Sequence, residues 1–115
     1  ISSGGSMLDT ARQLKEMGAK RVFICTTFGL FTDGMDAFDE AYEKGWFDRV
    51  ITTNLTYQIP ELLARPYYIE ADMSKFLASI IDFMNHDVSL TNVLTPTEKI
   101  RTILEKYNNR EEYHI

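Results

Sequence analysis

The sequence predicts an α/β fold with a parallel sheet. Short runs rich in apolar and β-branched residues alternate with longer stretches of helical periodicity. The stretches between the strands have the length of crossover helices, and such helices join parallel strands in βαβ units. With 115 residues and 44% hydrophobic content, the chain is long enough to bury a core of its own. We therefore expect a single domain over residues 1–115.

The predicted elements follow one another along the chain. Three strands are expected, at residues 21–26, 49–53 and 67–71. Four amphipathic helices flank them, at residues 7–17, 35–44, 73–84 and 96–107. The first strand is a short, mostly apolar run, which is typical of a strand buried on both faces. The last helix begins at Thr95-Pro96-Thr97-Glu98, which has the pattern of a capping box.

The N-terminal segment is the main candidate for a functional site. Two glycines and three hydroxyl residues lead into the first helix, namely Ser2, Ser3, Gly4, Gly5 and Ser6. Glycine lets a ligand approach the main chain closely, and the N–H groups of a helix N-terminus favour phosphate. Ligands of open α/β sheets also bind near such helix starts. On composition alone, however, the segment is equally typical of a flexible tail.

Charge and composition argue against several classes of function. The net charge is −5, and the basic residues do not cluster, so a nucleic-acid partner is not expected. No apolar run approaches the roughly 20 residues that span a bilayer, so no membrane partner is expected. Because the chain has a single cysteine and two histidines, a zinc site is not expected. Cys25 lies in an apolar run, and we expect a buried, unreactive thiol in a reducing cytoplasm.

Several stretches together are similar to one enzyme family. They are ISSGGSML at residues 1–8, GAKRVF at 18–23, TFGLF at 27–31, DRVITTNL at 48–55 and YIEADMSK at 68–75. In these stretches the chain resembles the C-terminal half of ribose-phosphate pyrophosphokinases, also called phosphoribosyl pyrophosphate synthetases. The resemblance implies a parallel-sheet, type I phosphoribosyltransferase-like (Rossmann-like) domain. It also implies that this domain is truncated at its N-terminus and is the second of two.

The resemblance implies an activity as well. Family members transfer a pyrophosphoryl group from ATP to ribose 5-phosphate with Mg²⁺, and they are commonly oligomers. The loop that matches residues 2–6 holds the sugar 5-phosphate, whereas acidic residues before it bind the ribose and the first domain binds most of the ATP. We therefore expect no catalytic residue and no metal ligand in this chain, Mg²⁺ bound mainly outside it, and no activity of the chain alone.

Two positions depart from the family pattern. Many members have an acidic residue where this chain has Ser2, and a histidine where it has Phe28. The glycine and hydroxyl pattern is kept, so backbone binding of phosphate is still expected, but Ser2 lacks the carboxylate that those members have at this position. Two alternatives stay open. One is a phosphoribosyltransferase with a similar loop, and the other is a non-catalytic homologue that regulates a synthetase within an oligomer.

Overall fold

The computed structural model describes residues 1–109. The chain divides into two compact units, of which the first is Ile1–Met73 and the second begins at Ser74. The single domain expected over residues 1–115 stays a prediction, and its last six residues lie outside the described part of the chain.

The first unit is built around a parallel sheet. Its elements are α1 (Gly5–Glu16), β1 (Phe23–Thr26), α2 (Asp36–Glu43), β2 (Arg49–Thr53), α3 (Pro60–Leu63) and β3 (Tyr68–Ala71). The strands lie in the order β1-β2-β3, and both neighbouring pairs are parallel. The predicted α/β class is confirmed, and the sheet is consistent with a phosphoribosyltransferase-like fold.

The core lies against one face of this sheet. Ile24, Val50 and Thr52 are buried on that face, since alternate residues of a strand point the same way. Phe38 of α2 is completely buried among aromatic neighbours. Its ring meets that of Phe31 edge-on, with the centroids 4.9 Å apart. This aromatic cluster lies close to the start of α1, and it therefore matters for the candidate site.

The other face of β1 is open within the described part of the chain. Phe23 is 52% exposed and Cys25 is exposed, whereas Ile24 between them is buried. The expectations of a strand buried on both faces and of a buried Cys25 are therefore wrong. An apolar run indicates which residues prefer burial, but it does not establish that other parts of the chain cover both faces.

The second unit is helical where the structure describes it. It contains α4 (Ser74–Asn85), α5 (Thr91–Leu94) and α6 (Thr97–Asn108). The predicted capping box is wrong, because Thr95 ends α5 and Pro96 occupies the N-cap position of α6 without a side-chain capping bond. Across residues 1–109, no helix combines the length and the apolar character that crossing a membrane requires.

Candidate phosphate-binding site

The predicted loop residues lie together at the N-terminus of α1. Gly4 is the N-cap residue, and Gly5 and Ser6 are the first two helical residues. The first helical hydrogen bond runs from Leu8 N to Gly4 O, at 2.9 Å. The N–H groups at the start of a helix have no intrahelical acceptor, and no side chain caps α1. This helix start can therefore donate hydrogen bonds to an anion.

The two glycines of the loop have different structural roles. Gly4 has φ +82°, a left-handed conformation, and a Cβ placed on it would lie 2.4 Å from the Phe38 ring. A Cβ on Gly5 would meet no atom within 4 Å. Gly4 is therefore required by the backbone and by the core beneath it. Gly5 faces open space, where its lack of a side chain lets a ligand come close.

The first two residues pair with a second loop, at residues 28–32, which we call the supporting loop. Ile1 N donates to Phe28 O at 2.7 Å, and Leu30 N donates to Ile1 O at 2.9 Å. This alternation is that of neighbouring parallel strands. Thr32 N donates to Ser2 O at 3.1 Å. These contacts favour the interpretation of residues 2–6 as a packed loop over that of a flexible tail.

The supporting loop is itself fixed by the core. Phe31 has φ +49°, a conformation that a bulky residue rarely adopts, and its side chain is only 3% exposed. A Cβ on Gly29 would lie 2.7 Å from the Phe31 ring and 2.8 Å from Thr52 Cγ2. The loop can therefore pack closely on the sheet only with glycine at this position.

A groove of about 620 Å³ lies beside the N-terminal loop. Residues 1–7 line one side, and Phe23, Ile24 and Cys25 of β1 line another. The first turn of α1 carries no acidic side chain that would repel an anion. The groove therefore connects the donor groups of the loop to the edge of β1 that has no strand partner among residues 1–109.

The cation nearest to the helix start along α1, Arg12, is paired with two carboxylates. Arg12 contacts Asp9 at 2.6 Å and Glu16 at 2.7 Å. The hydrogen bond from Arg12 lowers the pKa of Asp9, and the same bond raises the pKa of Arg12. Because this cation is already paired, the attraction for phosphate at the helix start comes mainly from backbone N–H groups.

The described residues do not fit a magnesium ion by themselves. Within residues 1–109, no three side chains of His, Cys, Asp or Glu lie close enough together to hold a metal. Hard cations such as Mg²⁺ need oxygen ligands in a regular arrangement, commonly from carboxylates. We therefore derive no metal-dependent step from this chain.

Sequence reasoning missed the contacts of the supporting loop. The loop lies between β1 and α2, beyond the carboxyl end of a strand, where ligands of such sheets bind. The hydrogen bonds to Ile1 and Ser2 were not foreseen, nor was the position of Phe38 beneath Gly4. Most of these contacts involve main-chain atoms, which leave no signature in residue type.

No family model matches the chain. Several individual proteins are similar to it in sequence. A ribose-phosphate pyrophosphokinase of Nostoc sp. (strain PCC 7120) is 30% identical over 93 residues, which are 81% of this chain. That of Mycoplasmopsis pulmonis is 31% identical over 86 residues, or 71% of the chain. That of Pyrococcus abyssi is 29% identical over 70 residues, or 61% of the chain.

The chain is similar to ribose-phosphate pyrophosphokinases. The resemblance seen in the sequence is thereby confirmed, and the relatives are enzymes that belong to the transferases. The chain spans about a quarter of their length, at 27%, 26% and 24% of the three proteins. The similarity therefore concerns one part of each of these longer relatives.

Proposed function

We propose that this chain is part of a ribose-phosphate pyrophosphokinase and holds the 5-phosphate of ribose 5-phosphate. The observation that carries the proposal is the uncapped start of α1 behind Gly4, in a chain similar to these enzymes. The binding residues are Ser2, Ser3, Gly4, Gly5 and Ser6. The intact protein would transfer pyrophosphate from ATP to the sugar, making phosphoribosyl pyrophosphate for nucleotide biosynthesis.

Backbone N–H groups would provide most of the binding. The amides of the first turn of α1 donate to phosphate oxygens, and the partial positive charge of the helix start adds to the attraction. The exposed hydroxyls of Ser3 and Ser6 are free to add further hydrogen bonds from the loop. Each hydrogen bond to a charged phosphate contributes about 1.5–3 kcal/mol.

The role of this site is positioning. Phosphoryl-group transfer depends on alignment and charge neutralisation rather than on a protein nucleophile. Fixing one end of the sugar phosphate holds its 1-hydroxyl in place for attack, which lowers the entropic part of the barrier. In this proposal Mg²⁺ and ATP are bound mainly by residues outside the chain, the chain alone is inactive, and the intact enzyme is a cytoplasmic homo-oligomer.

Titration with ribose 5-phosphate tests the proposed site. We expect amide chemical shifts to move at Ser3, Gly4, Gly5 and Ser6 when the ligand is added, and ribose without phosphate to cause no such change. The substitution Gly5→Val should raise the dissociation constant at least about ten-fold, because its side chain blocks close approach. Ala78→Val is the matched control, since it places valine at an exposed helical position in the second unit.

Two results would contradict the proposed site. One is a folded wild-type chain whose loop amides do not respond to ribose 5-phosphate. The other is a Gly5→Val variant that binds as tightly as Ala78→Val. The alternatives are separated by assaying the intact protein. Pyrophosphoryl transfer from ATP supports the synthetase, consumption of phosphoribosyl pyrophosphate indicates a phosphoribosyltransferase, and binding without turnover indicates a regulatory homologue.

A further inference from the structure

We propose that Thr32 is a positioning residue for the phosphate-binding loop, an inference that rests on the function proposed above. Thr32 Oγ1 lies 3.1 Å from Ser2 Oγ, and Thr32 N donates to Ser2 O at 3.1 Å. Thr32 therefore holds both the side chain and the main chain of Ser2. It acts through Ser2 and needs no contact with the ligand.

The contact with Ser2 complements the backbone pairing of residue 1. Ile1 is held by main-chain atoms of Phe28 and Leu30, which any residue with a backbone N–H could supply at those positions. The bond between the hydroxyls of Ser2 and Thr32 depends on residue type. It joins the supporting loop to Ser2, the first hydroxyl residue of the phosphate-binding loop. Thr32 therefore influences the geometry of the phosphate-binding loop through its side chain as well as its main chain.

Thr32 is well placed for this role because its neighbour is fixed. Phe31 is buried in a left-handed conformation, and its ring lies against Phe38. Phe38 in turn lies beneath Gly4. Residues 31 and 32 thus support the loop at two points, one directly at Ser2 and one through Phe38 at Gly4. These two points bracket Ser3, whose amide and hydroxyl are among the proposed phosphate ligands.

The consequence is a loop that is ordered before its ligand arrives. A loop that must be ordered on binding loses part of its gross interaction energy to that ordering. A typical intramolecular hydrogen bond contributes about 1 kcal/mol, which corresponds to about five-fold in affinity. We expect an effect of this size from the Thr32 hydroxyl.

Paired substitutions at Thr32 test this role. Thr32→Val removes the hydroxyl but keeps the side-chain shape and the backbone N–H, and it should weaken ribose 5-phosphate binding about five-fold. Thr32→Ser restores the hydroxyl and should bind within about two-fold of wild type. In a Ser2→Ala background, Thr32→Val should have no further effect, because its partner is already absent.

A ligand-free measurement separates this proposal from the proposed function. Amide relaxation at Ser2, Ser3 and Gly4 reports loop order on the picosecond-to-nanosecond timescale, and Thr32→Val should lower that order while Thr32→Ser preserves it. A wild-type chain that binds no phosphate would refute the proposed function alone. Loop order equal to wild type in Thr32→Val would overturn the role of Thr32, as would an undiminished effect of that substitution in the Ser2→Ala background.

Discussion

The ring of Phe38 occupies the space in which a side chain on Gly4 would begin. An ideal Cβ on Gly4 would lie 2.4 Å from both Cε2 and Cζ of that ring. Phe38 is completely buried and contacts the rings of Phe31 and Phe47. The phosphate-binding loop therefore rests directly on the aromatic core, and its geometry depends on the packing of that core.

We expect Gly4→Ala to lower the free energy of unfolding of the first unit by about 2–4 kcal/mol. The methyl group would clash with Phe38, and alanine is strained at φ +82°. Urea denaturation measures the loss. Gly5→Ala is the matched control, because its methyl meets no atom within 4 Å. Near-equal stability of the two variants would contradict this account of Gly4.

A second prediction concerns the polar contacts of Tyr67. Its hydroxyl donates to Asp39 Oδ1 at 2.6 Å, and Arg65 Nε donates to the same oxygen at 2.8 Å. These bonds join α2 to the segment between α3 and β3. Tyr67→Phe should cost about 1–3 kcal/mol, because it removes a partly buried hydrogen bond to a charged group. Tyr57→Phe, at a tyrosine that is 75% exposed, should have little effect in the same urea denaturation experiment.

The same carboxylate predicts a pH dependence. Burial alone would raise the pKa of Asp39, but hydrogen bonds from Arg65 and Tyr67 outweigh it and hold that pKa below its usual value. The ionised form is therefore favoured by folding. Ionised Asp39 stabilises the folded state above its unfolded pKa of about 4. This stabilisation is lost as the pH falls through the lower folded pKa.

We expect Asp39→Asn to be less stable than wild type at pH 7 and the difference to shrink below about pH 4. Urea denaturation of both proteins between neutral and acidic pH measures it. Other carboxylates with lowered pKa values, such as Asp9 and Glu40, are present in both proteins and cancel in the comparison. A difference in stability that stays constant down to pH 2 would count against this role of Asp39.

A fourth prediction concerns the thiol of Cys25. Since the side chain is exposed and lines the groove beside the phosphate loop, iodoacetamide should alkylate it in the folded chain. The rate should lie within about ten-fold of that in the urea-unfolded chain, because folding does not shield the sulfur. Mass spectrometry follows the reaction. Protection by several orders of magnitude in the folded chain would restore the original expectation of a buried thiol.

The sequence allowed most of the first unit to be predicted. The bounds of β2, Arg49–Thr53, match the prediction, since polar or glycine-containing segments flank that run. The prediction missed α3, a single turn that begins at Pro60, where proline is well suited to the first helical position. The predicted start of β1 came two residues early. Ahead of that strand, Val22 N bonds to the Asp48 carboxylate instead of a neighbouring strand.

The candidate site could be predicted in part. Glycine and hydroxyl residues before a helical pattern indicated the position of the loop, and the structure brings them to the start of α1. The contacts that hold this loop in place could not be predicted, because Ser2 and Thr32 are 30 residues apart in sequence. The exposure of Cys25 depends on whether another part of the chain covers its face of the sheet, which the apolar pattern does not reveal.

Trp46 gives the first unit a fluorescence signal that the second unit lacks. It is the chain's one tryptophan, it packs partly buried against the aromatic core, and Lys44 Nζ lies 5.1 Å from its ring centroid. Since no residue from Ser74 onward is a tryptophan, intrinsic tryptophan fluorescence reports on the first unit alone. The unfolding of the phosphate loop and its core can thus be followed optically without interference from the helices of the second unit.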